Sequence, residues 1–234
     1  MVLVCHKHKF IYLKTTKTAG TSTEKALQPL CEKPGLGELP NGEVRISKHG
    51  IVGARGPRTQ NTHRILRLWH RHKHPWRNHM SAINVRENLG AKTFDSYTKI
   101  ANVRDPFDRV VSQFHFMKYQ KNLPSEDAKT EFEQFRSFVL SGTWSIDWDI
   151  VSIDNKLIVD RFIRKEHLVA DLKETLAGFG LPENGFKLGH DKSMKERRKG
   201  IPVPDYYDPE TIDVVRRNMA WVFDTLGYPD QPQH

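Results

Sequence analysis

The chain has 234 residues, with 37 Lys and Arg against 28 Asp and Glu, giving a net charge of +9 and a sequence pI near 9.5. Ordinary apolar and aromatic content over this length suits one globular core, which excludes a disordered chain, and no apolar run reaches the length of a membrane span. Two cysteines, Cys5 and Cys31, are too few for a disulfide framework, and the basic excess points to polyanionic partners: nucleic acid, an anionic sugar, or a nucleotide with several phosphates.

The first predicted elements are the apolar runs Val2–Cys5 and Phe10–Leu13, which either pair as a hairpin around His6–Lys9 or place only the second run in a sheet. A loop rich in small and hydroxyl residues follows, Thr15-Thr16-Lys17-Thr18-Ala19-Gly20-Thr21-Ser22, and then a helix predicted from Thr21 to about Leu30. A strand feeding a tight loop at a helix N-terminus offers converging N–H groups and a favourable dipole to an anion. Lys17 adds a point charge, and Thr18, Thr21 and Ser22 add hydroxyl donors. The loop is not a Walker A motif, because Thr-Ser follows Gly20 where that motif requires Lys-Ser/Thr. An ordinary strand-to-helix turn has the same outline, so this stretch alone does not decide its role.

Residues 31–78 read as an irregular insertion bordering an acceptor site, with breakers at Pro34, Gly35, Gly37, Pro40, Gly42, Gly50, Gly53, Gly56 and Pro57. Within it, His70, His72 and His74 lack the cysteine or carboxylate company of a metal site, and Pro75 interrupts any helix. A basic aromatic loop is the expectation, with Trp69, Trp76, Arg71 and Arg77 suited to stack on and pair with a sugar. His79 then precedes a short helix bounded by Ser81 and Gly90.

Ile100–Val103 reads as a buried strand, and Asp105-Pro106 as the cap and first turn of a helix carrying Phe107, Val110, Val111, Phe114 and Met117. Arg104 is left at the strand's end, and Ser112 lies eight residues later on the helix; the two are suited to grip one phosphate. Phe132, Phe135, Phe138 and Val139 recur at helical spacing and are expected in the core. Leu157–Ile163 reads as a strand, Glu166–Phe179 as a helix, residues 192–199 (KSMKERRK) as the densest basic loop, and Asp208–Leu226 as a terminal helix. The alternation predicts one α/β domain over residues 1–234, with a mainly parallel central sheet flanked by helices and ligands at the strands' carboxyl ends.

Together, Lys17-Thr18-Ala19-Gly20-Thr21-Ser22 and Arg104-Asp105-Pro106…Ser112 resemble the signature of sulfotransferases that use 3′-phosphoadenosine 5′-phosphosulfate (PAPS). The likeness is to the branch of heparan sulfate 2-O-sulfotransferases and bacterial carbohydrate sulfotransferases, and it weakens over residues 31–75 and 188–204. The resemblance implies a P-loop-like sulfotransferase fold and assigns Lys17 and residues 18–22 to the 5′-phosphosulfate, and Arg104 and Ser112 to the 3′-phosphate. It also implies His79 as the catalytic base, 25 residues before Arg104, and places Ser193, Lys195, Arg197 and Arg198 in a loop closing over the cosubstrate. Further implications are a sugar or glycan hydroxyl as acceptor, adenosine 3′,5′-bisphosphate as product, and no metal. A start almost on the first motif suits a cytoplasmic, bacterial or viral enzyme.

Two other classes compete with this reading. A nucleic-acid-binding module would explain the charge, but the basic residues are scattered and no nucleic-acid motif is present. A P-loop kinase would explain the loop, but it requires Gly-Lys-Ser/Thr and an acidic strand end to hold Mg²⁺.

Overall fold

Two short apolar runs build the middle of the sheet. β1 (Leu3–Cys5) and β2 (Phe10–Leu13) are buried at every residue, as expected of strands covered on both faces. The computed structural model describes residues 1–37, 39–55, 76–124, 126–182, 186, 188 and 195–233. Its further strands are β3 (Arg45–Ser47), β4 (Gly50–Val52), β5 (Thr98–Val103), β6 (Ser152–Ile153), β7 (Lys156–Leu157) and β8 (Arg161–Arg164). The main sheet has the order β3-β4-β1-β2-β5-β8, and β6 pairs with β7 apart from it.

The expectation of a mainly parallel sheet is corrected by this arrangement. β1–β2, β1–β4 and β3–β4 are antiparallel, and β2–β5 is parallel. The cause is local: His6–Lys9 and Lys48-His49 are too short for a crossover, so the chain must reverse direction. The stretch read as irregular thus supplies the edge hairpin. Gly50 is needed there for close approach rather than as a breaker, since a Cβ would lie 2.0 Å from Val4 O and 2.8 Å from Cys31 O. The strand expected over residues 157–163 is interrupted too. Asp154 and Asn155 both take left-handed φ values, 50° and 57°, which suits a two-residue hairpin between β6 and β7, and β8 begins only at Arg161.

The helices, in chain order, are α1 (Gly20–Leu27), α2 (Ala82–Leu89), α3 (Ala91–Ser96), α4 (Pro106–Gln120), α5 (Ala128–Leu140), α6 (Leu168–Ala177), α7 (Pro209–Asn218) and α8 (Ala220–Leu226), with one further turn at Trp148–Val151. No helix among the described residues is long and apolar enough to cross a membrane. Two compact units divide the chain. The first comprises Met1–Thr15, Ala19–Asn102 and Asp147–His190, and the second Thr16–Thr18, Val103–Ile146 and Asp191–His234.

In the first unit, Leu3, Phe10, Tyr12 and Ile100 of the sheet form one apolar cluster with Leu27 of α1 and Leu172 and Leu176 of α6. Asn102, fully buried on β5, accepts from Tyr12 Oη at 2.5 Å and donates to Thr23 Oγ1 at 2.9 Å and Ile163 O at 3.3 Å. One side chain therefore ties β2, α1 and β8 to the strand between them.

The second unit has an aromatic core. Phe135 of α5 lies 5.5 Å from Phe114 of α4, 5.3 Å from Tyr206 and 4.9 Å from Tyr207, centroid to centroid. Phe135 and Val139 are fully buried, as expected of that repeat. α4 starts where Asp105 and Pro106 predict, with the Asp105 side chain accepting from Asp108 N. α7 opens on a capping box between Asp208 and Thr211. The terminal helix is two helices rather than one, because the chain leaves helical geometry at Met219 (φ −110°, ψ 18°). No glycine or proline marks that break; Met219 is fully buried, and its Sδ accepts from Arg109 Nη1 at 3.4 Å.

Candidate active site

The loop after β2 has an unusual backbone. Lys17 and Ala19 take left-handed φ values of 60° and 64° on either side of Thr18. Non-glycine residues pay for that conformation, which persists only where the surroundings hold it. Ala19 is the N-cap of α1, with no side-chain cap bond, and its carbonyl accepts from Ser22 N at 3.0 Å and Thr23 N at 3.3 Å. By packing, Lys17 and Thr18 belong to the second unit and Ala19–Ser22 to the first.

Beneath the start of α1, the first unit holds a buried ionic network that the sequence did not reveal. Glu24 is fully buried, and its carboxylate accepts from Lys14 Nζ at 2.9 Å, Arg55 Nε at 2.5 Å and the Met1 amino group at 2.7 Å. Burial pushes its pKa up, but the Met1 amino group and Lys14 outweigh this and hold it at about 2. Lys14 Nζ also donates to Thr21 Oγ1 at 3.1 Å, so the loop's last threonine is held by the same lysine.

His79 is joined to the same segment. Its Nδ1 lies 3.0 Å from Lys14 O. A carbonyl only accepts, so Nδ1 carries the hydrogen and the neutral ring keeps its lone pair on Nε2. Burial lowers the His79 pKa to about 4; Asp147 opposes this, and the Met1 amino group and Lys14 reinforce it. The ring is therefore an unprotonated base at neutral pH. His79 also sits at φ 51°, a strained conformation of the kind that concentrates at functional positions.

The second unit gathers the cations. Arg104, 7% exposed, donates from Nη1 to Lys17 O at 3.0 Å and from Nε to Asp108 Oδ2 at 2.6 Å. Arg198, 8% exposed, reaches Asp108 Oδ1 with Nη2 at 2.7 Å. Lys17 Nζ lies 4.2 Å from the centroid of Phe116, and burial, then the Arg104 charge, lower its pKa to about 8. Ser112 is buried on α4. Arg197 instead donates to Leu123 O at 3.0 Å and lies over Tyr119. Lys195 opens the 3-10 turn Lys195–Arg198. Ser193 lies outside the described residues, as do Trp69, His70, Arg71, His72 and His74.

Sequence reasoning missed Arg109. It is 2% exposed and donates to Thr16 O at 3.0 Å and Ser145 O at 2.9 Å, so a second arginine, this one on α4, holds the loop's backbone. The available signal was a lone arginine beside the helix's apolar stripe. Trp76, read as a sugar platform, is 4% exposed and is a core residue; Trp144 is buried too, donating from Nε1 to Val139 O. Among the described residues, no group of three or more His, Cys, Asp or Glu is placed to hold a metal ion.

A family model described as "Sulfotransferase family" matches residues 1–169. That span contains the loop, His79, Arg104 and Ser112, and ends before the turn at Lys195–Arg198. No match was found among curated proteins or among solved structures.

Proposed function

The chain belongs to the sulfotransferase family, and from that premise we propose that it transfers the sulfuryl group of PAPS, in line, to a carbohydrate hydroxyl. The carbohydrate acceptor rests on the resemblance of the two motifs to the heparan sulfate 2-O branch. The observation that carries the mechanism is the 3.0 Å bond between His79 Nδ1 and Lys14 O, which ties a neutral base to the backbone three residues before Lys17.

PAPS supplies the activated sulfuryl group and a phosphate leaving group. His79 takes the acceptor's proton at Nε2 as the hydroxyl oxygen attacks. Lys17 and the N–H groups of residues 18–22 stabilise the charge that grows on the departing oxygen. Arg104, Ser112 and Arg198 bind and orient the 3′-phosphate. The donor set fits such a polyanion: Arg104 and Arg198 share one carboxylate, Asp108, and Arg104 also donates to the backbone carbonyl of Lys17. Incubation with PAPS and a panel of glycans, with sulfated product read by mass spectrometry, tests the reading; turnover of ATP but not PAPS would replace it with a kinase.

Binding gives a second check. The protein is expected to prefer adenosine 3′,5′-bisphosphate to AMP. Arg104→Ala should weaken the bisphosphate by about 10- to 100-fold, since a charge-assisted bond is worth roughly 1.5–3 kcal/mol and 1.4 kcal/mol is tenfold. Equal affinity of the wild type for both nucleotides in a calorimetric titration removes the assignment of Arg104.

A further inference from the structure

Asp108 stands at the third position of α4, where its N–H is capped by Asp105 Oδ1 at 2.8 Å. An acid there ordinarily turns back to the N-cap backbone N–H. Here it faces two arginines, Arg104 four residues before it and Arg198 from a distant part of the chain. Oδ2 accepts from Arg104 Nε and Nη2, both at 2.6 Å, and Oδ1 pairs with Arg198 Nη2 at 2.7 Å. Two nearly buried guanidiniums in this proximity repel, and the carboxylate between them offsets one charge while fixing both groups. Arg104 has a second anchor in Lys17 O. Arg198 Nε is buried and makes no hydrogen bond among the described residues, so it has a donor left for an acceptor that reaches the pair.

We propose that Asp108 is a positioning residue for the nucleotide's 3′-phosphate. It holds Arg198 next to Arg104, so that one phosphate meets two guanidiniums already in place. This inference rests on the sulfotransferase reading above, in which these arginines serve the cosubstrate. It adds that the turn Lys195–Arg198, outside the matched family span, is recruited by an acid inside it. The opposite electrostatic expectation is that an acid beside an anion site weakens binding. The two expectations differ in sign.

The test is a double-mutant cycle on the full chain, with thermal unfolding of each variant to confirm that it is folded. Asp108→Asn should weaken adenosine 3′,5′-bisphosphate roughly tenfold, within the range expected for a lost charge-assisted contact, and leave AMP unchanged. In turnover, KM for PAPS should rise with little change in kcat, and Asp108→Glu should recover part of the loss. Arg198→Ala should show a similar loss, and the double variant should lose less than the sum of the two, because the Asp108–Arg198 contact is removed by either change. Tighter bisphosphate binding by Asp108→Asn, or losses that simply add, would overturn the proposal. If the wild type prefers the bisphosphate and Asp108→Asn keeps that preference undiminished, this inference alone fails. If the wild type shows no preference, the sulfotransferase reading fails and takes the inference with it.

Discussion

Replacing His79 by alanine is expected to lower kcat by about 10²–10⁴, the range for loss of one general base, while affinity for adenosine 3′,5′-bisphosphate stays nearly unchanged. The ring's Nδ1–H is committed to Lys14 O, so in the proposed reaction Nε2 is the atom left to accept the proton. The pH profile adds a sharper expectation. An ordinary histidine titrates near 6.5, but His79 is held at about 4. For the free enzyme, the acid limb of kcat/KM should stay flat below neutral pH and fall only as the pH approaches about 4, where the base becomes protonated. Alanine variants of His70, His72 and His74, assayed in parallel, serve as the comparison. Near-normal kcat in His79→Ala with a collapse in one of the others would move the base.

The largest stability effect is expected at Glu24. Removing one partner of a buried ion pair typically costs about 3–5 kcal/mol, and Glu24→Ala leaves Lys14 and Arg55 without their shared carboxylate. Urea denaturation measures this directly; a loss below about 1 kcal/mol, the scale of an exposed pair, would show that the network carries little stability. Its pH dependence follows from the depressed pKa of about 2: the contribution is full above the unfolded carboxylate's pKa and is lost as the pH falls through about 2. The histidines act earlier. His79 and the fully buried His115 are both held at about 4, chiefly by burial. Between about 6.5 and 4 the unfolded chain takes up protons that the folded chain refuses, so stability should fall across that window. His115→Gln should flatten part of this slope in unfolding curves measured at several pH values.

The local frame of the site was legible because its signals are local. Phe10–Leu13 and Thr98–Val103 are apolar enough to announce buried strands, and Asp105-Pro106, Ser81 and Gly90 mark helix ends that the structure keeps. Strand direction was less legible. The hairpin turn at His6–Lys9 carries no Asn-Gly or Asp-Gly signal and instead places Lys9 at φ 51°. β3 and β4 are three residues each, inside a stretch dominated by breakers. The break at Met219 has no breaker at all. Glu24, Asp108 and Arg109 were invisible for another reason. Each looks like an ordinary helix-surface residue, and its role depends on partners such as Arg55, Arg198 and Ser145, which lie far away in sequence.

The position of Lys17 has a thermodynamic consequence for ligand capture. With its pKa near 8 beside Arg104, the ammonium of the empty protein is partly deprotonated at mildly alkaline pH. A bound phosphosulfate would restore the ordinary protonated state, so association near pH 8 should draw a fraction of a proton from solution. Titrations in buffers of different ionisation enthalpy should then report different apparent heats at pH 8, with the difference shrinking towards pH 7, where Lys17 is mostly charged before and after binding. Affinity should decline as the pH rises through about 8. The same partly neutral amine is a nucleophile when the site is empty, so amine-directed acylation of Lys17 and its suppression by nucleotide would report occupancy without any acceptor.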